Sequence, residues 1–221
     1  MSEIVVQKFG GTSVGTVDRI DSVAEIIKNA SKSNKIVVVV SAMGGETNRL
    51  VDLAKAFGDD PDKREFDALV STGETVSSAL LTMALHSKGV KAKSFSASQI
   101  SMTTTSSYSK AKILDVDAKK ILDVVENDTI PIITGFQGVT EGGDVTTLGR
   151  GGSDTTAVAI AAQISAIRCD IYTDVDGIFT TDPSVVPNAK KLDSITMEEM
   201  LELAGQGAKV VQTRAVEFAN K

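Results

Sequence analysis

The feature that most constrains the fold is residues 36–40, IVVVV, an unbroken β-branched run with no polar alternation. A strand wetted on one face alternates, so this run predicts a strand covered on both faces, as in a parallel sheet between helices. It stops at Ser41-Ala42-Met43-Gly44-Gly45, after which Thr47 or Asn48 is placed to cap a helix. The N-terminus repeats the unit. Residues 4–6 read as a buried strand, Lys8-Phe9-Gly10-Gly11-Thr12-Ser13 as a glycine loop, and residues 18–30 as a helix, apolar at Ile20, Val23, Ile27 and Ala30.

Further along, residues 58–65 (GDDPDKRE) read as a surface excursion, and Ser71-Thr72-Gly73-Glu74 opens a helix ending near His86. Glu74 then falls in a first turn, where a glutamate commonly does no more than offset the helix dipole. Residues 90–95 form a strand. Residues 100–108, rich in Ser and Thr, form a hairpin or a flap, 117–127 a helix and 129–134 a strand that runs into the GFQG loop. A strand at 171–173, a turn-rich segment, a helix from 196–199 and a last helix at 207–221 complete the chain. This βαβα order throughout predicts a three-layer α/β sandwich with a mostly parallel central sheet. The 221 residues suit one domain, with Gly142-Gly143 a weak division between lobes at 1–142 and 143–221.

Residues 147–156, TLGRGGSDTT, lead into the apolar helix pattern AVAIAAQISA. Gly149, Gly151 and Gly152 free the backbone from Cβ obstruction, and Ser153 or Asp154 is expected to cap the helix. A helix N-terminus attracts anions. Arg150 adds a planar fork for a carboxylate and Asp154 an acceptor for an ammonium, a combination suited to a free amino acid; a tight strand-to-helix turn with a solvated arginine is the plainer alternative. Lys8, at a strand end beside Gly10 and Gly11, suits phosphate oxygens, although the loop lacks the GxxxxGK[ST] spacing of a Walker A motif.

Composition narrows the chemistry. The net charge of −6, without a Lys/Arg run, argues against nucleic acid as the main partner. One cysteine, Cys169, excludes an internal disulfide and a multi-cysteine zinc site and is expected to be a core thiol; one histidine, His86, excludes His-pair catalysis and His metal clusters. The N-terminus has no signal-peptide pattern and no apolar run approaches ~18 residues, so a soluble, cytoplasmic protein without a membrane partner is expected.

Taken together, KFGGTS at 8–13, SAMGGETN at 41–48, STGE at 71–74, GFQG at 135–138, TLGRGGSDTTA at 147–157, YTDVDGIFTTDP at 172–183 and GAKVVQTRAVEFA at 207–219 closely resemble aspartate kinase. That resemblance implies the amino-acid kinase fold, ATP and Mg2+ as cofactors, L-aspartate as acceptor, a role in lysine, threonine and methionine biosynthesis, and a homodimer. It implies that Lys8, Gly10 and Gly11 contact the transferring phosphoryl group and with Phe9 bind ATP, that Thr47, Glu74, Arg150, Gly151, Gly152, Ser153 and Asp154 surround aspartate, and that Asp154 is also catalytic. Thr173, Asp174, Phe179, Ser184, Lys209 and Val210 would hold the nucleotide, with no dedicated protein metal site. Phe179 stands where the family more often has tyrosine, and Ser184 where it has arginine. The family continues into paired ACT regulatory domains, so the resemblance implies a catalytic domain alone.

The residues make chemical sense of this. Aspartate carries two carboxylates and an ammonium: Arg150 suits one carboxylate, Asp154 and Glu74 the ammonium, and Lys8 with the Gly10 and Gly11 amides the carboxylate that meets phosphate. A carboxylate nucleophile is ionised at neutral pH and needs no general base. A glutamate 5-kinase-like activity differs by one methylene, worth only ~1–3 kcal/mol in a pocket, and a non-catalytic binding or assembly subunit is the reading from another class.

Overall fold

The chain is described by a computed structural model over residues 3–175, 177–181, 185–186 and 188–205. Five parallel strands form the central sheet: β1 (Ile4–Phe9), β2 (Lys35–Val40), β3 (Ala92–Phe95), and two further strands at Ile130–Thr134 and Arg168–Tyr172. Between β3 and the fourth of these lie two short strands, β4 (Thr103–Thr104) and β5 (Ile113–Asp115), so the sheet strand at Ile130–Thr134 is β6. After β6 come β7 (Gln137–Val139) and β8 (Val145–Thr147), and Arg168–Tyr172 is β9. The sheet order is β3-β6-β2-β1-β9. Val37 to Val40 are fully buried, as the β-branched run predicts.

Helices cover both faces. On one, α1 (Val17–Ala30) and α4 (Thr72–Ser87) pack Ile20, Val23, Ala24, Ile27, Leu81 and Leu85 against Val5, Phe9, Val38 and Val40. On the other, α5 (Ala118–Glu126) and α6 (Gly152–Gln163) pack Ile121, Val125, Ala157 and Ile160 against Val6, Val37, Val39 and Ile133. The alternation of β1 side chains between these two clusters follows from the two-residue strand period. Cys169 is half-buried against the second cluster, and burial pushes its thiol up to about 12. His86 stands in the last turn of α4, where its Nε2 lies 2.8 Å from the Ala92 carbonyl oxygen.

Several expectations change. The order is not βαβα throughout: β5-β4-β7-β8 form a second, four-stranded sheet with antiparallel pairs β4/β5 and β7/β8. Gly142 and Gly143 lie in the β7–β8 turn, closed by Gly143 N–H donating to Thr140 O at 2.9 Å, and β1 and β9 pair across the proposed lobe division. The excursion at 58–65 leads into a helix, α3 (Lys63–Val70), capped by Asp62 accepting from the Glu65 amide at 3.0 Å. Ser71 is itself helical (φ −67°, ψ −16°), so α3 runs on into α4 and Glu74 sits mid-stack, not at a free N-terminus. The combined stretch Lys63–Ser87 has an 18-residue window of mean hydropathy 1.2, long and apolar enough to cross a membrane by composition, and half of it is buried inside the fold. The short helix α2 (Glu46–Lys55) and α6 are not capped by Thr47, Asn48, Ser153 or Asp154. Their N-caps are Gly45 (φ 82°) and Gly151 (φ 69°), left-handed positions that only glycine takes without strain, and neither cap uses a side chain. A nine-residue helix, α7 (Met197–Gly205), begins after Thr196, whose hydroxyl accepts from the Glu199 amide while Glu199 accepts from the Thr196 amide. The helix expected at 207–221 lies outside the described residues.

Candidate active site

The sheet order reverses at β1: β2 follows on one side, and the chain returns as β9 on the other. Ligand crevices in open α/β sheets form outside the carboxyl ends of strands at such a point. There, a cleft of about 740 Å³ is lined by the β1 and β2 glycine loops, the start of α4, the Thr147–Asp154 loop and Thr173-Asp174. Of the expected residues it brings together Lys8, Gly10, Gly11, Thr47, Glu74, Arg150, Gly151, Gly152, Ser153, Asp154, Thr173 and Asp174.

Lys8, next to last in β1, lies opposite Val39 of β2 and Ile171 of β9, and is only 7% exposed. A buried ammonium needs a counter-charge. Asp154, in the first turn of α6, supplies it at 2.7 Å (Nζ to Oδ1), a charge contact in which Oδ1 has no aligned hydrogen-bond donor. Asp154 Oδ1 therefore holds Lys8, while the residue still lines the cleft.

Glu74 is the other carboxylate at the cleft. It is 3% exposed; Oε1 accepts from the Ala42 amide at 3.1 Å, while the buried Oε2 has no partner. Burial pushes its carboxyl up to about 7, opposed by its backbone hydrogen bonds. An orphaned carboxylate oxygen lining a cleft is a receptor for a cation. Arg150 is exposed on the opposite loop and forms no ion pair among the described residues. Phe136, in the GFQG loop, adopts φ 66°, a conformation unusual for a bulky residue; its amide donates to Thr156 Oγ1 at 3.2 Å and its carbonyl accepts from the Leu148 amide at 2.9 Å, which fix the ring at the cleft wall.

Two expected residues stand elsewhere. Phe9 is fully buried, its ring stacked on Tyr172 with centroids 4.5 Å apart, so its side chain belongs to the core. Phe179 bridges Lys191 in a small antiparallel pairing and does not line the cleft. Ser184, Lys209 and Val210 lie outside the described residues. Among the described residues, no group of three or more His, Cys, Asp or Glu could hold a metal ion.

Sequence reasoning missed the scaffold. Asp67, with no exposed surface, accepts from the Ser109 amide (2.8 Å) and hydroxyl (3.2 Å) and from the Thr147 amide and hydroxyl (both 2.8 Å). Gln137 donates to Ser71 O at 2.5 Å and accepts from Thr134 Oγ1 at 2.9 Å, joining the α3–α4 junction to the end of β6. The seven-residue spacing of Asp67 and Glu74 was a usable signal, since in one helical run it places both on one face.

These features define an α/β sandwich with an anion-receptive cleft at the carboxyl edge of its parallel sheet, furnished with one buried lysine, one exposed arginine fork and one glutamate with an unpartnered oxygen. The chain belongs to the amino acid kinase family, whose profile matches residues 3–221. It is 56% identical over 219 residues to an aspartate kinase of Pseudomonas putida, covering 99% of this chain and 53% of that protein. A crystal structure of aspartate kinase from Synechocystis superposes with a TM-score of 0.87 at 48% identity, over 98% of this chain and 36% of that one. E. coli aspartokinase III in complex with aspartate and ADP superposes with a TM-score of 0.90 at 32% identity, over 99% and 60%. The chain thus spans about half the length of the relatives it matches.

Proposed function

We propose that this chain transfers the γ-phosphoryl group of ATP to the side-chain carboxylate of L-aspartate, giving 4-phospho-L-aspartate. The observation that carries the reading is the unpartnered Glu74 Oε2, buried in the same cleft as Arg150 and Lys8. An amino acid with an acidic side chain meets all three: its ammonium at Glu74, one carboxylate at Arg150, the other directed to the phosphoryl group beside Lys8. Aspartate and ADP are bound by the E. coli relative of the same fold, which supports the assignment.

The attacking carboxylate is already ionised, so the chain supplies position and charge rather than a base. Lys8, held by Asp154, faces charge that redistributes in the transition state, and the Gly10 and Gly11 loop lets the backbone approach phosphate oxygens. Mg2+ usually binds through substrate phosphates and one or two carboxylates, not an all-protein cage. The exposed Asp174 at the cleft fits that donor role; the ion would supply neutralisation of phosphate charge.

A coupled ATP assay with aspartate, glutamate and N-acetylglutamate tests the reading. Turnover with aspartate far above the others is expected. N-acetylglutamate has no ammonium for Glu74, so preference for it would overturn the assignment.

A further inference from the structure

Asp67 is unexplained by the chemistry above: all four of its hydrogen bonds go to protein donors, so nothing is left for a ligand. Those donors come from two loops that meet over the cleft. Thr147 ends β8 and leads directly into the Arg150 loop. Ser109 belongs to the β4–β5 connection, has φ 65°, and lines the cleft itself. The loops also touch each other: the Ala111 amide donates to Thr147 O at 2.9 Å, and Ser109 O lies 3.0 Å from where a Cβ on Gly149 would stand. Arg64, one turn earlier on α3, reaches Asp144 at 2.7 Å, which also accepts from Tyr108 OH at 3.1 Å.

Glu74 follows Asp67 by seven residues in a helical run unbroken at Ser71. Seven residues are nearly two turns, so one helix face carries both carboxylates. One is buried as a staple into the two loops and the other faces the cleft.

We infer that Asp67 is a positioning residue that sets the span between the Arg150 carboxylate grip and the Glu74 ammonium grip, and so the length of acidic amino acid the cleft accepts. This rests on the aspartate kinase reading. Without the staple, the ion pair that α3 keeps toward β8, Arg64 to Asp144, is exposed, and exposed ion pairs hold geometry weakly. A looser span discriminates one methylene less well.

The test uses Asp67→Asn and Ser109→Ala in the 221-residue chain. In Asp67→Asn an amide group replaces an acceptor facing backbone N–H groups, so amide hydrogen exchange in residues 105–112 and 147–152 should quicken about tenfold or more, with β1 and β2 unchanged. The KM for aspartate should rise about tenfold, the KM for ATP should stay within about twofold, and the preference for aspartate over glutamate should narrow. Ser109→Ala, which removes only the 3.2 Å hydroxyl bond, should move the same quantities less and keeps the test readable where Asp67→Asn does not fold. Equal rises in both KM values, or a lower melting temperature with aspartate KM and preference unchanged, would mean a purely structural role. If the unaltered chain phosphorylates no acidic amino acid, the aspartate kinase reading fails, and the staple is judged by exchange alone: accelerated exchange upholds it and unchanged exchange overturns it.

Discussion

Lys8 Nζ lies 2.7 Å from Asp154 Oδ1, tying the carboxyl end of β1 to the first turn of α6 across 146 residues of chain. The pair closes the floor of the cleft at the point where the sheet order reverses, and it places a fixed positive charge beside two glycine loops. Its partner sits at a helix N-terminus, where a carboxylate is favoured. The pair is therefore set before any ligand arrives, which is the preorganisation that stabilises developing charge.

Replacing Lys8 with methionine should lower kcat by ~10²–10³, the usual loss on removing one preorganised group, with a much smaller effect on the aspartate KM. Asp154→Asn should act on the same parameter, because it leaves Lys8 without its counter-charge. Steady-state kinetics of both variants check this. A variant Asp154→Asn that raised only the aspartate KM would return Asp154 to the ligand's ammonium.

Glu74 should make both stability and substrate binding depend on pH. Its folded value, about 7, lies above the ordinary 4.5, so the native state binds the proton more tightly. The associated stability is present below pH ~4.5 and lost as pH rises through 7, a penalty on the order of 3 kcal/mol in the free protein. Glu74→Gln should therefore melt with the native chain at pH 4–5 and above it at pH 8. A bound ammonium favours the ionised form, so aspartate affinity should rise with pH between about 6 and 8 and level off. Melting curves and calorimetric titrations across that range decide the matter; a flat aspartate affinity would detach Glu74 from ligand binding.

Arg150→Ala and Arg150→Lys should both raise the aspartate KM by about tenfold or more while ATP binding stays close to normal. A lysine is a point charge and cannot supply the two parallel bonds of a guanidinium fork. Titrating each ligand separately into the variants gives the comparison. Equal weakening of both would show that the arginine serves the loop's structure.

Gln137→Leu should destabilise the chain by about 2 kcal/mol, since it strands Ser71 O and the Thr134 hydroxyl in a buried setting. Denaturant unfolding should show a lower midpoint at unchanged slope. Because Ser71 joins α3 to α4, a change in the Glu74 pH response is expected to accompany the loss.

Much of this protein was legible along the chain. The β-branched run at 36–40, the apolar spacing at 20, 23, 27 and 30 and the glycine loops at 10–11, 44–45 and 149–152 identify strands, helices and turns by local periodicity and backbone freedom, which are properties of a few neighbouring residues. From these the layered parallel sheet follows, with its loops on one edge. The second sheet was less legible because β4, β5, β7 and β8 are two or three residues each, too short for a period to register.

The site's charges belong to the tertiary structure. Asp154 and Glu74 are both carboxylates in first turns by sequence, yet one is bound to a lysine 146 residues away and the other is buried with an oxygen left open. Asp67 sits in an unremarkable charged stretch and becomes a four-bond staple only when residues 109 and 147 are brought to it. Local pattern sets which backbone conformation is cheap, whereas the protonation, pairing and burial of a charged group depend on what the folded chain carries to it and how much water it excludes. Which carboxylate is paired and which keeps an open oxygen was therefore decided by packing.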